Sequence, residues 1–66
     1  MTLADKVKEI RKAFGLSQEE LAAILMVSRQ TITKWETGAG LPDTENLLQL
    51  AKVFGVTVDY FLGKSD

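Results

Sequence analysis

Ser17–Gly38, SQEELAAILMVSRQTITKWETG, is the stretch whose local structure decides the architecture. Ser17 can cap a helix, and Glu20 three residues on completes a capping box. Leu21, Ala22, Ile24 and Leu25 follow at helical spacing. Met26-Val27 breaks that stripe, and Ser28 offers a second N-cap. The helix that begins there has two apolar residues, Ile32 and Trp35, set among Arg29, Gln30, Thr31, Thr33 and Lys34. A helix with so narrow an apolar stripe buries one side and presents the other to something polar.

Working outward, Thr2 and Asp5 form another capping pair, and Leu3, Val7, Ile10 and Phe14 recur at spacings of four and three. Lys6, Lys8, Arg11 and Lys12 occupy the remaining faces of that helix. Phe14-Gly15-Leu16-Ser17 then ends one helix and opens the next, and Phe54-Gly55-Val56-Thr57 repeats the pattern: apolar residue, glycine, apolar residue, capping hydroxyl. The same frame laid on the centre gives Leu25-Met26-Val27-Ser28, with methionine where glycine stands in the other two. A left-handed backbone there would cost a side chain about 1–2 kcal/mol.

Downstream, Gly38 closes the third helix, a loop runs from Thr37 to Pro42, and Pro42-Asp43 starts a fourth with Leu47, Leu48, Ala51 and Phe54 as its expected buried set. Thr57 and Asp59 begin a short fifth helix carrying Val58, Tyr60, Phe61 and Leu62, and Gly63-Lys64-Ser65-Asp66 is a polar exit. The pattern predicts an all-α, compact five-helix bundle, one domain over residues 1–66, with helices at 3–14, 18–25, 29–37, 44–54 and 58–62.

The 66 residues allow one small domain of modest stability, about 3–5 kcal/mol. With no cysteine and no histidine, there is no disulfide, no thiolate metal site and no common general base. The glycines form neither a dinucleotide-binding nor a phosphate-loop pattern, and the Glu19-Glu20 pair is accounted for by capping. No catalytic residue, metal or cofactor is expected. No apolar run is long enough to span a membrane and no signal peptide opens the chain, which points to a cytoplasmic protein.

Net charge −1 and a pI near 5.3 argue at first against a nucleic-acid partner. The acids are placed so as to weaken that objection. Asp5, Glu19, Glu20, Asp43, Glu45 and Asp59 all fall at expected helix starts, where they complement the macrodipole. Only Glu9, Glu36 and Asp66 remain, so a small basic face can coexist with an acidic total.

SQEELAAILMVSRQTITKWETG followed by LPDTENLLQLAKVFGVTVDYFLG resembles the Cro/C1-type (XRE-like) helix-turn-helix family from Ile10 to Gly63. The features that carry the resemblance are the LSQEELA opening, the VSRQTITKWE second helix, the G-x-x-LP-D link and the LAKVFGV ending with its apolar tail. It implies a lambda repressor-like domain, with the motif at about 17–37, that binds duplex DNA as a transcriptional regulator, in the main as a repressor. The binding unit would be a homodimer on a palindromic operator with half-sites one helical turn apart. Carried over residue by residue, the resemblance gives base contacts to Ser28, Arg29, Gln30, Thr33 and Lys34, and backbone contacts to Gln18, Thr31, Thr37, Gly38 and Gly40. Arg29 suits guanine O6 and N7, and Gln30 suits adenine N6 and N7. Arg11 and Glu36 match a pair that orients the recognition helix. Dimerisation would use Val58, Tyr60, Phe61 and Leu62, Tyr60 being the most exposed, unless these residues only close the bundle.

Two departures stand out. Many relatives carry a lysine or arginine where this chain has Ala39-Gly40, which leaves about three or four ionic contacts per protomer from Arg29, Lys34, Arg11 and the lysines of the first helix. Met26 replaces the glycine of the turn, and strain is preferred over a different turn or a contact role. Trp35 reads as a core anchor rather than a base-stacking platform. The rival function is a protein-interaction module on the same scaffold, antitoxin-like or part of a larger regulator, favoured by the acidic pI and the thin basic face.

Overall fold

The computed structural model describes residues 1–63. The last three residues of the polar exit, Lys64, Ser65 and Asp66, lie outside the described residues. Five helices follow one another: α1 (Leu3–Ala13), α2 (Gln18–Leu25), α3 (Arg29–Thr37), α4 (Thr44–Phe54) and α5 (Val58–Leu62), with no strand among the described residues. The first is one residue shorter than its periodicity predicts, because Phe14 already leaves helical geometry at φ −87°, ψ 1°.

Each helix starts where a side chain satisfies its free N–H groups. The hydroxyls of Thr2, Ser17, Ser28 and Thr57 and the carboxylate of Asp43 all accept from a backbone N–H three residues on. Thr2/Asp5 and Ser17/Glu20 are complete reciprocal boxes. The backbone and side-chain hydrogen bonds of Thr2 hold the Asp5 carboxyl below its ordinary value.

The three recurring turns share one geometry. Gly15 and Gly55 are left-handed at φ 72° and 68°, and so is Met26 at φ 59°. In each, the residue after the left-handed one donates its N–H five residues back: Leu16 to Arg11, Val27 to Ala22 and Val56 to Ala51, at 2.9–3.1 Å. This is the paired-bond closure that lets the chain stop one helix and start another within a few residues.

The core gathers Val7 and Ile10 from α1, Leu21, Ala22 and Leu25 from α2, Ile32 and Trp35 from α3, Leu47, Leu50, Ala51 and Phe54 from α4, and Phe61 from α5. α3 packs against both α1 and α2, while α5 closes the other end against α1 and α4. Three sequence expectations fail here. Leu48 is half exposed and Leu50 is fully buried in its place, which restores the 47, 50, 51, 54 stripe of an amphipathic helix. Ile24 and Phe14 are also more than a third exposed, although Phe14 still meets Phe54 edge-on at 4.9 Å between ring centres. Phe61, expected at a dimer surface, is 1% exposed: it plugs the core, and its side chain has no surface to offer a second copy.

Candidate nucleic-acid interface

α3 is positioned from its C-terminal half. Ile32 and Trp35 anchor it in the core, and Glu36, one residue further round, points inward to meet Arg11 of α1. The Arg11 guanidinium donates Nε to Glu36 Oε2 at 2.6 Å and Nη2 to Glu36 Oε1 at 3.0 Å, a two-pronged pairing. Its third nitrogen, Nη1, donates to the Leu16 carbonyl at 2.7 Å, so one side chain ties α1, the α1–α2 turn and α3 together. Burial alone would push the Glu36 carboxyl up. The hydrogen bonds from Arg11 and Gln18, with the attraction of Arg11, outweigh it and hold the carboxyl below its ordinary 4.5. The hydrogen bond to Glu36 likewise raises Arg11 against the opposing effect of burial. Among the described residues every buried side-chain polar atom has a partner.

Gln18, at the start of α2, extends this network onto the outer face of α3. Its Nε2 donates to Glu36 Oε1 at 3.0 Å, and its Oε1 accepts from Thr33 Oγ1 at 3.1 Å and from Arg29 Nη1 at 3.4 Å. Arg29, Gln30 and Lys34 are exposed along α3, and Thr33 is half-buried beside Gln18. Ser28 caps the helix through the Thr31 N–H at 3.1 Å, and the two hydroxyls lie 2.9 Å apart. The expected base-reading residues Ser28, Arg29, Gln30, Thr33 and Lys34 thus all lie on α3 or at its first turn, with Gln18 across the turn from them.

The expected backbone contacts are less uniform. The Thr37 hydroxyl donates back into its own helix, to the Thr33 carbonyl at 2.9 Å. The Gly40 N–H donates to the Lys34 carbonyl at 3.2 Å, so that amide is already spent on closing α3 and cannot donate to a phosphate. Arg11 is withdrawn from the list of phosphate-facing cations by its burial against Glu36. Lys6 is also engaged: its Nζ donates to the Tyr60 carbonyl at 2.8 Å and sits 5.5 Å from the Tyr60 ring centre, fastening α5 to α1. Lys8 and Lys12 remain exposed, and Lys8 is near enough to add to the field at Glu36. The Gln18–Thr33 contact and the Lys6 latch had no sequence signal, since both join residues far apart in the chain. No group of three acidic side chains gathers as a metal site among the described residues.

Two short helices across a tight left-handed turn, the second held by its apolar side and presenting amide, hydroxyl and cationic donors on the other, define a helix-turn-helix domain. The chain belongs to the helix-turn-helix family of the Cro/C1 type, whose family model, described as helix-turn-helix, matches residues 7–61. It is 44% identical over 94% of its length to the HTH-type transcriptional activator BcrR of Enterococcus faecalis, of which it spans 30%. It is 35% identical over its whole length to the HTH-type transcriptional regulator ImmR of Bacillus subtilis, of which it spans 52%. An HTH-type transcriptional regulator of Methanocaldococcus jannaschii is 40% identical over 97% of this chain and 98% of its own. Among solved structures, the P22 c2 repressor in complex with a synthetic operator superposes with a TM-score of 0.91 at 29% identity, covering 98% of each chain.

Proposed function

We propose that this domain binds duplex DNA sequence-specifically as the reading head of a transcriptional regulator. The observation that carries the proposal is α3 itself: nine residues, about 13 Å long, anchored on one side by Ile32, Trp35 and Glu36 and exposing Arg29, Gln30 and Lys34 on the other. A helix of these dimensions enters a major groove about 12 Å wide with its N-terminal residues at the base edges. The same fold in the P22 c2 repressor–operator complex supports this docking. Ser28, Arg29, Gln30, Thr33 and Lys34 then read bases, Arg29 forking onto a guanine and Gln30 onto an adenine. Gln18, Thr31, Thr37 and Gly38 face the sugar–phosphate strands, and Gly40 contributes closeness rather than an N–H.

A homodimer on a palindromic operator belongs to the same proposal, since so small a basic face supports little affinity for one protomer alone. Leu62, exposed at the end of α5, and the half-buried Val58 and Tyr60 are the surface for it, with Leu62 and not the expected Tyr60 the most exposed because the Tyr60 ring packs edge-on against Phe61; Phe61 is not part of it. The domain would act in the cytoplasm, and no helix among the described residues is long and apolar enough to cross a membrane.

Selection from random duplex DNA at low salt, run beside Arg29→Ala, tests the proposal. Enrichment of a palindrome by the parent, with loss of its guanine position in the variant, is the expected result. Single half-sites would keep DNA reading and reject the dimer. No enrichment by a folded parent would favour the protein-interaction module, to which the acidic total charge lends itself.

A further inference from the structure

Two of the hydroxyls on α3, those of Thr33 and Thr37, have no proton left for DNA, because a hydroxyl carries only one. Thr33 Oγ1 lies 3.1 Å from Gln18 Oε1 and 3.2 Å from the Arg29 carbonyl, and both of those oxygens only accept. Thr37 Oγ1 is spent in the same way on the carbonyls of Thr33 and Lys34, at 2.9 and 3.3 Å. Ser28 and Thr31 differ: their hydroxyls share one bond at 2.9 Å, which leaves one proton of the pair free. Threonine in a helix commonly turns its hydroxyl back onto the preceding turn. At Thr33 a second acceptor, from α2, holds it there. The hydroxyl and the methyl of a threonine occupy separate staggered positions on Cβ. With the hydroxyl turned to α2 and back along α3, the methyl is what this half-buried side chain has left for the open side.

We infer that Thr33 is a specificity-determining residue that reads the C5-methyl of a thymine with its own methyl, and does not read a base edge by donating its hydroxyl. Among the groups that base pairs present in the major groove, the thymine methyl is the one that apolar contact selects. The place of Thr33 on the helix suits that contact: it stands one turn beyond both Arg29 and Gln30, next to each on the surface of α3. The inference rests on the DNA-reading proposal and adds a third kind of base feature to it, beside the guanine edge of Arg29 and the adenine edge of Gln30. The contact removes one methyl on each partner from water, so its effect on affinity is a matter of several-fold and not of orders of magnitude.

The test uses the duplex enriched by the parent, with its thymines replaced one at a time by uracil, which pairs in the same way and lacks only the C5-methyl. At one thymine of the half-site the parent is expected to lose about two- to fivefold in affinity on replacement. Thr33→Ser keeps the hydroxyl and drops the methyl, and it is expected to bind both forms of that duplex equally. Thr33→Val drops the hydroxyl and keeps the methyl, and it is expected to retain the preference for thymine. Each preference is a ratio of two affinities measured on one protein sample, so a lower folded fraction does not alter it. The inference is overturned if the parent prefers thymine nowhere in the half-site, or if Thr33→Ser retains every thymine preference of the parent. Loss of the preference in both variants would assign it to the hold of the hydroxyl on Gln18 and overturns the inference as well. Failure of the parent to bind any duplex is visible in the parent alone and defeats the functional proposal, and the thymine contact with it.

Discussion

Met26 holds a left-handed backbone at φ 59° and is 91% exposed as a residue, so it has the strain of a non-glycine residue and almost none of the compensation of burial. That conformation costs a residue with a Cβ about 1–2 kcal/mol. Replacement by glycine removes the strain but gives the unfolded chain back about 0.5–1 kcal/mol of freedom. Met26→Gly is therefore expected to stabilise the domain by about 0.5–1 kcal/mol, seen as a higher urea midpoint at unchanged slope; a lower midpoint would refute the strain account. The repeated frame of apolar residue, turn residue, apolar residue and hydroxyl made this position legible in the sequence. Gly15 and Gly55 supplied the template, and the common hydrogen-bond pattern of the three turns explains why the template carried over.

At the scale of elements, α1 and α3 are joined by one ion pair whose removal from a single side leaves the partner buried and unpaired. Glu36→Gln strands Arg11, and a loss of about 3–5 kcal/mol is expected, comparable with all the stability a domain of this size has. Circular dichroism should show that variant largely unfolded at room temperature, and a native-like melt would contradict the assignment. Replacing both partners, Arg11→Met with Glu36→Leu, is expected to keep the fold. The pair also sets an acid limit. The Glu36 carboxyl is held below its ordinary 4.5, so the folded state favours the ionised form; the stabilisation is complete above about pH 5 and is lost as pH falls through the depressed folded value. Thermal melts should therefore fall steeply with pH on the acid side of about 4.5 in the parent and more shallowly in the double variant, where Asp5 at its Thr2 box retains its own dependence. Helix existence and caps were readable locally, whereas inward faces were read less well. Leu48 and Leu50 are both leucines on the same helix, and only the position of α4 against its neighbours assigns one to water and the other to the core.

For the whole molecule, the electrostatic account shifts once the side chains are placed. The sequence offers three or four cations to phosphates, but Arg11 is buried against Glu36 and Lys6 is fastened to Tyr60. Arg29 and Lys34 remain with the exposed lysines of α1, and the logarithm of duplex affinity should fall with the logarithm of salt with a slope of about −2 to −3 per protomer. Titrations at several salt concentrations measure it, and a slope beyond about −5 would mean that cations outside this face take part. The sequence by itself determined the five helices, their caps, the turn at Met26 and the residues displayed on α3, because these depend on contacts within about five residues. Tertiary structure alone decided that Phe61 plugs the core, that Lys6 latches α5 to α1, and that Gln18 joins a buried ion pair to the exposed Arg29. Those outcomes depend on which helix faces come within hydrogen-bond or van der Waals reach, a distance in space that spacing along the chain does not encode.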